Sequence, residues 1–328
     1  MKLGTLNLEN RYILAPMQNV TTAPYRRFIR KFYKVGLVSV PMLYTKRIVK
    51  NPKSIKDELY KIEEERPISI QLIGNDPNSL KEAMYYLESY NFDVLDINAG
   101  CPSKRAIKAK EGGYLMKDLE SLEKIVKMAV KYSSKPVSLK IRTGFDIPMN
   151  IGKILKIVNN SGIDFLIIHA RPVKSNYNFG NLDLETVKQL KENLTIPLIG
   201  NGNIRNPIIA KHFIDYTNVD ALMIGRESMG NPEIFSQIHE YFTQGKFAPL
   251  NNNIERIKNH FVIYEEILDD YLTGISYSYG NEVFKFRELK RNTIWLFKNV
   301  NNSTKIRTQL SETKSLNQLK LILAEILS

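Results

Sequence analysis

One cysteine occurs in the chain, Cys101, within the segment Asp96-Ile-Asn-Ala-Gly-Cys-Pro102. A single thiol excludes an intramolecular disulfide and any metal site built from several cysteines, so no metal is expected. Gly100 permits a tight turn, and Pro102 biases Cys101 away from helical geometry. The thiol therefore sits on a constrained loop. Lys104, Arg105, Lys108 and Lys110 follow at once, and Gly112-Gly113 then suits a hinge. Positive charge beside a thiol favours reactivity. The competing reading is a small structural cysteine next to a solvated basic run.

Other residues that packing does not require recur at the ends of short apolar runs. They are Met17 and Gln18, Gln71, Asn98, Lys140 with Arg142, His169 with Arg171, Asn201, and Arg226. The runs are Tyr12–Ala15, Leu37–Val40, Ile68–Leu72, Val94–Ile97, Val137–Ile141, Phe165–Ile168, Pro197–Gly200 and Ala221–Ile224. Helical periodicity separates most of them, as in Leu119–Tyr132 and Leu184–Leu194. Strands alternating with helices at this rhythm predict an α/β fold, a (β/α)₈ TIM barrel. A doubly wound open sheet is the alternative. In a barrel the polar ends converge on one mouth, where barrel enzymes place their chemistry. In an open sheet, at about 4.8 Å per strand, they would be strung along a line some tens of ångströms long. Convergence favours the barrel.

The rhythm changes after about residue 245. Gln244–Asn253 is rich in Gly, Pro and Asn, and Asn253 is placed to cap a helix through Leu272. A second helix fits Glu282–Phe297 and a shorter pair Lys305–Leu327. The expected division is a catalytic barrel over 1–245 and an all-helical domain over 250–328. With 47 basic against 34 acidic residues the formal net charge is +13, which favours a polyanionic partner such as nucleic acid. No apolar run reaches about eighteen residues, and the first residues lack the apolar stretch of a signal peptide. The expectation is a soluble, cytoplasmic monomer without membrane association.

Asn98-Ala-Gly-Cys-Pro102 resembles the Asn-x-Gly-Cys-Pro loop of the tRNA-dihydrouridine synthases. The resemblance continues on both sides. Leu14-Ala-Pro-Met-Gln-Asn-Val-Thr-Thr-Ala-Pro-Tyr-Arg26 is similar to the opening segment of that family, and Gln71 stands at the end of the third strand. Lys140-Ile-Arg-Thr-Gly144, His169-Ala-Arg171, Gly200-Asn-Gly-Asn-Ile204 and Met223-Ile-Gly-Arg-Glu-Ser-Met-Gly-Asn-Pro232 follow in family order. The tail, including Phe286-Arg-Glu-Leu-Lys-Arg291, is similar to the family's tRNA-binding domain. Three positions depart from the family pattern: Asn203 where Asp is usual, Gln18 where Ala or Glu is commoner, and Thr22 where Asp or Asn is.

The resemblance implies FMN as cofactor, NADPH or NADH as reductant and tRNA as substrate. Pro16, Met17 and Gln18 would then lie at the isoalloxazine ring, and Gln71 would hydrogen-bond its edge. Lys140 would offset the charge of the reduced ring. His169 has a role near FMN, and Asn203 meets a ribityl hydroxyl. Gly200, Asn201, Gly202, Gly225 and Arg226 would cradle the phosphate, at the place where barrels commonly bind one. Hydride reaches C6 of a uracil while Cys101 gives a proton to C5. Asn98 would hold the uracil edge, and Lys104, Arg105, Arg142 and Arg171 the tRNA. His212, His239 and His260 are given no role. Two rivals remain: an FMN-dependent dehydrogenase of a free pyrimidine, and an RNA-binding barrel without flavin. Missing iron–sulfur cysteines, net charge and the helical tail count against the first. The cysteine loop and Lys140 count against the second.

Overall fold

In the computed structural model, which describes residues 1–175, 180, 182–249 and 254–327, eight parallel strands form one sheet. They are β1 (Tyr12–Leu14), β2 (Val38–Ser39), β3 (Ile68–Ile73), β4 (Val94–Asn98), β5 (Val137–Arg142), β6 (Phe165–His169), β7 (Leu198–Asn201) and β8 (Ala221–Ile224). Each pairs with its successor from β2 to β8, and β8 pairs with β1. The ring closes through the Ile13–Leu37 bridge, with the Leu14 amide donating to Leu37 O at 2.9 Å and the Gly36 amide to Tyr12 O at 2.9 Å. The expected barrel is borne out, and the open sheet is set aside. A short strand, Leu43–Tyr44, extends the edge of β3 opposite Leu72 and Ile73.

Side chains alternate between the barrel axis and the surrounding helices. At the start of the strands the inward positions are apolar. Ile13, Leu37, Val94, Phe165, Ile199 and Ala221 cluster there with Leu3 and Leu8 from the N-terminal hairpin segment. One or two steps further on, the same faces carry Gln71, Asp96, Asn98, Ser138, Lys140, Asn201 and His169. The barrel is thus oily at one end and polar at the other. Helices between the strands start where the sequence supplies an Asx cap. Asp76, Asp118, Asn150, Asp183 and Asn206 each accept an amide two or three residues into Pro77–Leu87, Leu119–Tyr132, Ile151–Ser161, Leu184–Asn193 and Pro207–Thr217.

The chain divides into two compact units, one of residues 1–22 and 34–225, the other of residues 23–33 and 226–328. This boundary differs from the 245–250 linker, and aromatic packing within the second unit explains why. Helix Ala23–Phe32 sets Phe28 edge-on to Tyr264 with centroids 5.0 Å apart, and Tyr25 edge-on to Trp295 at 5.7 Å. Arg27 pairs with Asp270 at 3.0 Å. Before the linker, Glu233 meets Arg256 at 2.7 Å and His260 at 2.9 Å. Burial alone would raise the Glu233 carboxyl, but those two partners bring it down to about 2. Helices Ile254–Thr273, Asn281–Leu296, Ser303–Glu312 and Leu316–Leu327 complete this unit. Asn253, the expected cap, lies outside the described residues. No helix among the described residues is long and apolar enough to cross a membrane.

Candidate active site at the barrel mouth

Strand register places the polar side chains. Gln71 lies opposite Asp96, Asp96 opposite Ser138, and Asn98 opposite Lys140. Arg142 lies opposite His169, and His169 opposite Asn201. Asp96 is a buried charge on this face, 2% exposed. It accepts from Gln71 Nε2 at 2.6 Å and from Ser138 Oγ at 2.7 Å. Burial pushes its carboxyl up to about 6, against those two hydrogen bonds and the charge of Lys140. Burial also brings Lys140 down to about 8, with Asp96 opposing and Arg142 adding to the fall. Near pH 7 the ammonium therefore persists. It makes no hydrogen bond among the described residues, so a cation stands at the mouth ready for an acceptor.

The cysteine loop is held from several sides. Asn98 Oδ1 accepts the amides of Gly100 at 3.0 Å and Cys101 at 2.9 Å, while Asn98 Nδ2 donates to Gln71 Oε1 at 2.7 Å. The Gly113 amide donates to Cys101 O at 2.9 Å. The Cys101 thiol, partly exposed, donates to Ser103 Oγ at 3.4 Å. Ser103 in turn caps the short helix Lys104–Lys108. Lys104, Lys108 and Lys110 are exposed, as is Arg105, whose guanidinium lies 4.1 Å from the centre of the Tyr44 ring.

Three expectations need correction. Arg142 and Arg171 are only 2% and 1% exposed, so neither is a surface contact for tRNA phosphates. Arg142 donates to Gly100 O at 2.8 Å and Pro172 O at 3.0 Å, which ties the cysteine loop to the loop after β6. Arg171 donates to Gly180 O at 3.1 Å and lies 3.4 Å from His169 Nε2. Gly112-Gly113 is no hinge. A Cβ on Gly112 would come within 2.9 Å of Cys101 Cβ, and one on Gly113 within 2.8 Å of Cys101 O. These glycines let the turn Gly112–Met116 lie against the cysteine. Gly200 likewise serves packing, since its Cβ would meet the Phe213 ring at 2.4 Å.

The other predicted residues fall as follows. Pro16 and Met17 are partly buried and Gln18 is exposed, in a turn where Met17 O accepts the amides of Val20 and Thr21 at 3.1 Å. Asn201 spends its amide on Met223 O at 2.7 Å. Gly202 has φ +142 and is buried beside His169, and Asn203 is left-handed at φ +46. A Cβ on Gly225 would make only ordinary contacts at 3.5 Å with Ala15 and Met17, so protein packing does not demand a glycine there. Arg226 is exposed and opens the turn Arg226–Ser228 as the first residue of the second unit's later segment. Sequence reasoning overlooked Asp96 and Ser138. Their signal is a polar residue at an inward position of an otherwise apolar strand. Among the described residues no group of three or more His, Cys, Asp or Glu could hold a metal.

Among solved structures, histamine dehydrogenase from Rhizobium sp. 4-9 superposes with TM-score 0.54 at 12% identity. That match covers 73% of this chain but only 47% of the larger protein. Morphinone reductase superposes with TM-score 0.52 at 13% identity, covering 76% and 91%. At such identities the likeness speaks for the fold alone. In sequence, tRNA-dihydrouridine synthase B of Vibrio vulnificus is 35% identical over 277 residues, 83% of this chain and 85% of that protein. The enzyme of the same name from Pseudomonas aeruginosa is 31% identical over 312 residues, 95% and 91% of the two chains. The family model for dihydrouridine synthase matches residues 13–327. That span runs from the second residue of β1 through the rest of the barrel, the cysteine loop and the helical tail, and the chain belongs to the dihydrouridine synthase family.

Proposed function

We propose that this chain is a tRNA-dihydrouridine synthase, saturating the C5=C6 bond of uridine in tRNA with FMN as cofactor and NADPH or NADH as reductant. The observation that carries the reading is the placement of Cys101. Its thiol is partly exposed on a loop pinned by Asn98 and Arg142, and Lys140 stands opposite Asn98 on the next strand.

The residues present fit a flavin. Lys140 offers a cation with no hydrogen bond among the described residues, Pro16 and Met17 offer apolar cover, and Gly202 and Gly225 offer backbone without a side chain. Gln71 retains one N–H and one lone pair after its bonds to Asp96 and Asn98. When bound, FMN would supply the hydride for C6 of the uracil, with the nicotinamide as the source of electrons.

The chain's own residues do the rest. Cys101 holds a proton at Sγ and delivers it to C5, and Ser103 Oγ is the hydrogen-bond partner that keeps the thiol oriented. Asn98 has both lone pairs of Oδ1 occupied by the Gly100 and Cys101 amides, so it can meet the uracil only as a donor. Its natural partner is a uracil carbonyl. A uridine packed within tRNA must be splayed out to reach the mouth. Lys104, Arg105, Lys108 and Lys110 supply exposed charge for the phosphates, and the helical unit supplies further grip.

The test is incubation of the purified holoenzyme with unmodified tRNA and NADPH, followed by mass spectrometry of nucleosides. Dihydrouridine should accumulate in the tRNA. Reduction of free uracil with none in tRNA would instead support a free-pyrimidine dehydrogenase.

A further inference from the structure

Asp96 lies inside the barrel, 2% exposed, two residues before Asn98 on the same face of β4. From it a run of side-chain hydrogen bonds leads outward. Gln71 Nε2 donates to Asp96 Oδ2 at 2.6 Å, and Asn98 Nδ2 donates to Gln71 Oε1 at 2.7 Å. Asn98 Oδ1 then accepts the amides of Gly100 and Cys101. The run ends on the peptide nitrogen of the thiol-bearing residue.

Each amide in this run is a one-way link, because one end donates and the other accepts. The direction is forced from the loop. Backbone N–H groups only donate, so Asn98 must turn its oxygen to them and its NH₂ to Gln71. Gln71 must then turn its oxygen to Asn98 and its NH₂ to position 96. Only an acceptor there completes the run. Ser138, on the other side, can donate or accept and imposes nothing.

We infer that Asp96 is a positioning residue: its carboxylate is the acceptor that anchors the far end of the Gln71–Asn98 amide run, whose direction is set at the loop, and it thereby holds the backbone of the Cys101 loop. The inference rests on the reading of Cys101 as proton donor, since Asp96 acts on the reaction only through that loop. The ionisable group facing Asp96 is Lys140, with Arg142 and Cys101 acting on Lys140 in turn.

Reversing the run tests this. In Gln71→Glu, a carboxylate at 71 can still accept from Asn98 but cannot donate to Asp96, and repulsion between the two buried carboxylates draws residue 71 away from Asn98. Hydrogen–deuterium exchange of the Gly100 and Cys101 amides in the holoenzyme should speed up by about tenfold at pH 8, the effect of one broken buried hydrogen bond. Near about pH 5 the pair should share a proton, restoring the donor and the protection. The double variant Asp96→Asn with Gln71→Glu reverses donor and acceptor at that link. The amide introduced at position 96 can then donate to the carboxylate introduced at position 71, and protection should return at pH 8. A general structural role for Asp96 predicts neither the pH reversal nor the rescue. Unchanged exchange in the single variant, or a double variant no better protected than the single one, overturns the inference. Should the single variant not fold at pH 8, the double variant decides alone, and exposed loop amides in it overturn the inference. The proton-donor reading is tested apart from this, by tRNA turnover in Cys101→Ala. Full activity there removes the thiol from the chemistry and leaves the loop's dependence on Asp96 as measured.

Discussion

Lys140→Met should make the flavin-free protein more stable at neutral pH while impairing its function. The fall in the Lys140 pKa from 10.5 to about 8, at about 1.36 kcal/mol per pH unit, corresponds to about 3 kcal/mol. The sign follows from proton binding. Between about pH 8 and 10.5 the unfolded chain holds a proton that the folded lysine has released, so stability rises with pH across that window. Below pH 8 the full cost of keeping the buried ammonium charged is present, and replacing it with a thioether removes that cost. Asp96 then loses its cation. Its carboxyl already titrates at about 6, and at pH 7 it can avoid an unpaired charge by taking up a proton, which costs at most about 1.4 kcal/mol more. The net gain is about 2 kcal/mol, as an upper bound because water reaches part of the lysine side chain. Urea unfolding of wild type and variant at pH 7 and pH 10 measures it. The variant should be the more stable at pH 7, with the advantage shrinking by pH 10. A variant less stable than wild type at pH 7, or an advantage independent of pH, would refute the reasoning. In the flavin-loaded enzyme the same substitution should slow tRNA reduction if Lys140 has its proposed role of offsetting the charge of the reduced ring.

The remaining expectations are shorter. Cys101→Ala should leave oxidation of NADPH intact and slow single-turnover reduction of tRNA uridine by about 10²–10⁴, the usual contribution of a positioned acid; a rate within about threefold of wild type would show that the thiol does no chemistry. Gly200→Ala should cost about 1–3 kcal/mol in thermal or urea unfolding, since its Cβ would intrude on the buried Phe213 ring at 2.4 Å; an unchanged midpoint would mean that helix Pro207–Thr217 yields freely. Lys104→Ala with Arg105→Ala should weaken tRNA binding and flatten its dependence on salt without altering flavin content, whereas Arg142→Ala should loosen the cysteine loop and leave the salt dependence as it was. Filter binding across a salt series separates these outcomes.

How far the molecule was legible in advance can be judged residue by residue. The eight strands follow from short β-branched runs, and their closure follows from the economy of bringing Gln71, Asn98, Lys140 and His169 to one mouth. Both readings need only period-two alternation and the length of the chain. The cysteine loop is legible as a motif because Gly100 and Pro102 mark a turn locally, but the contacts that hold it, from Arg142, Gly113 and Gln71 through Asn98, come from elsewhere in the fold. Helix Ala23–Phe32 cannot be assigned to its unit in this way, because its partners Tyr264, Asp270 and Trp295 lie more than two hundred residues away. Deleting residues 250–328 to isolate a barrel would strip those partners from Phe28, Arg27 and Tyr25, so that truncation is a poor test of tRNA binding.

Arg142 and Arg171 show a second kind of limit. An arginine at a strand end looks the same in sequence whether it reaches outward for a phosphate or folds back onto carbonyls. Only the neighbouring loops decide, and here the carbonyls of Gly100, Pro172 and Gly180 claim the guanidinium donors. Asp96 is the converse case. A carboxylate within Val94–Asn98 resembles a flaw in an apolar strand until Gln71 and Ser138 are found on the flanking strands at its own level. Burying it with Lys140 works against stability, and an apolar pair would satisfy the fold as well or better. What an apolar pair cannot do is accept the hydrogen bond from Gln71 that anchors the two amides. On the inference drawn above, the loop carrying Cys101 depends on that anchor, while the proposed part of Lys140 is at the flavin.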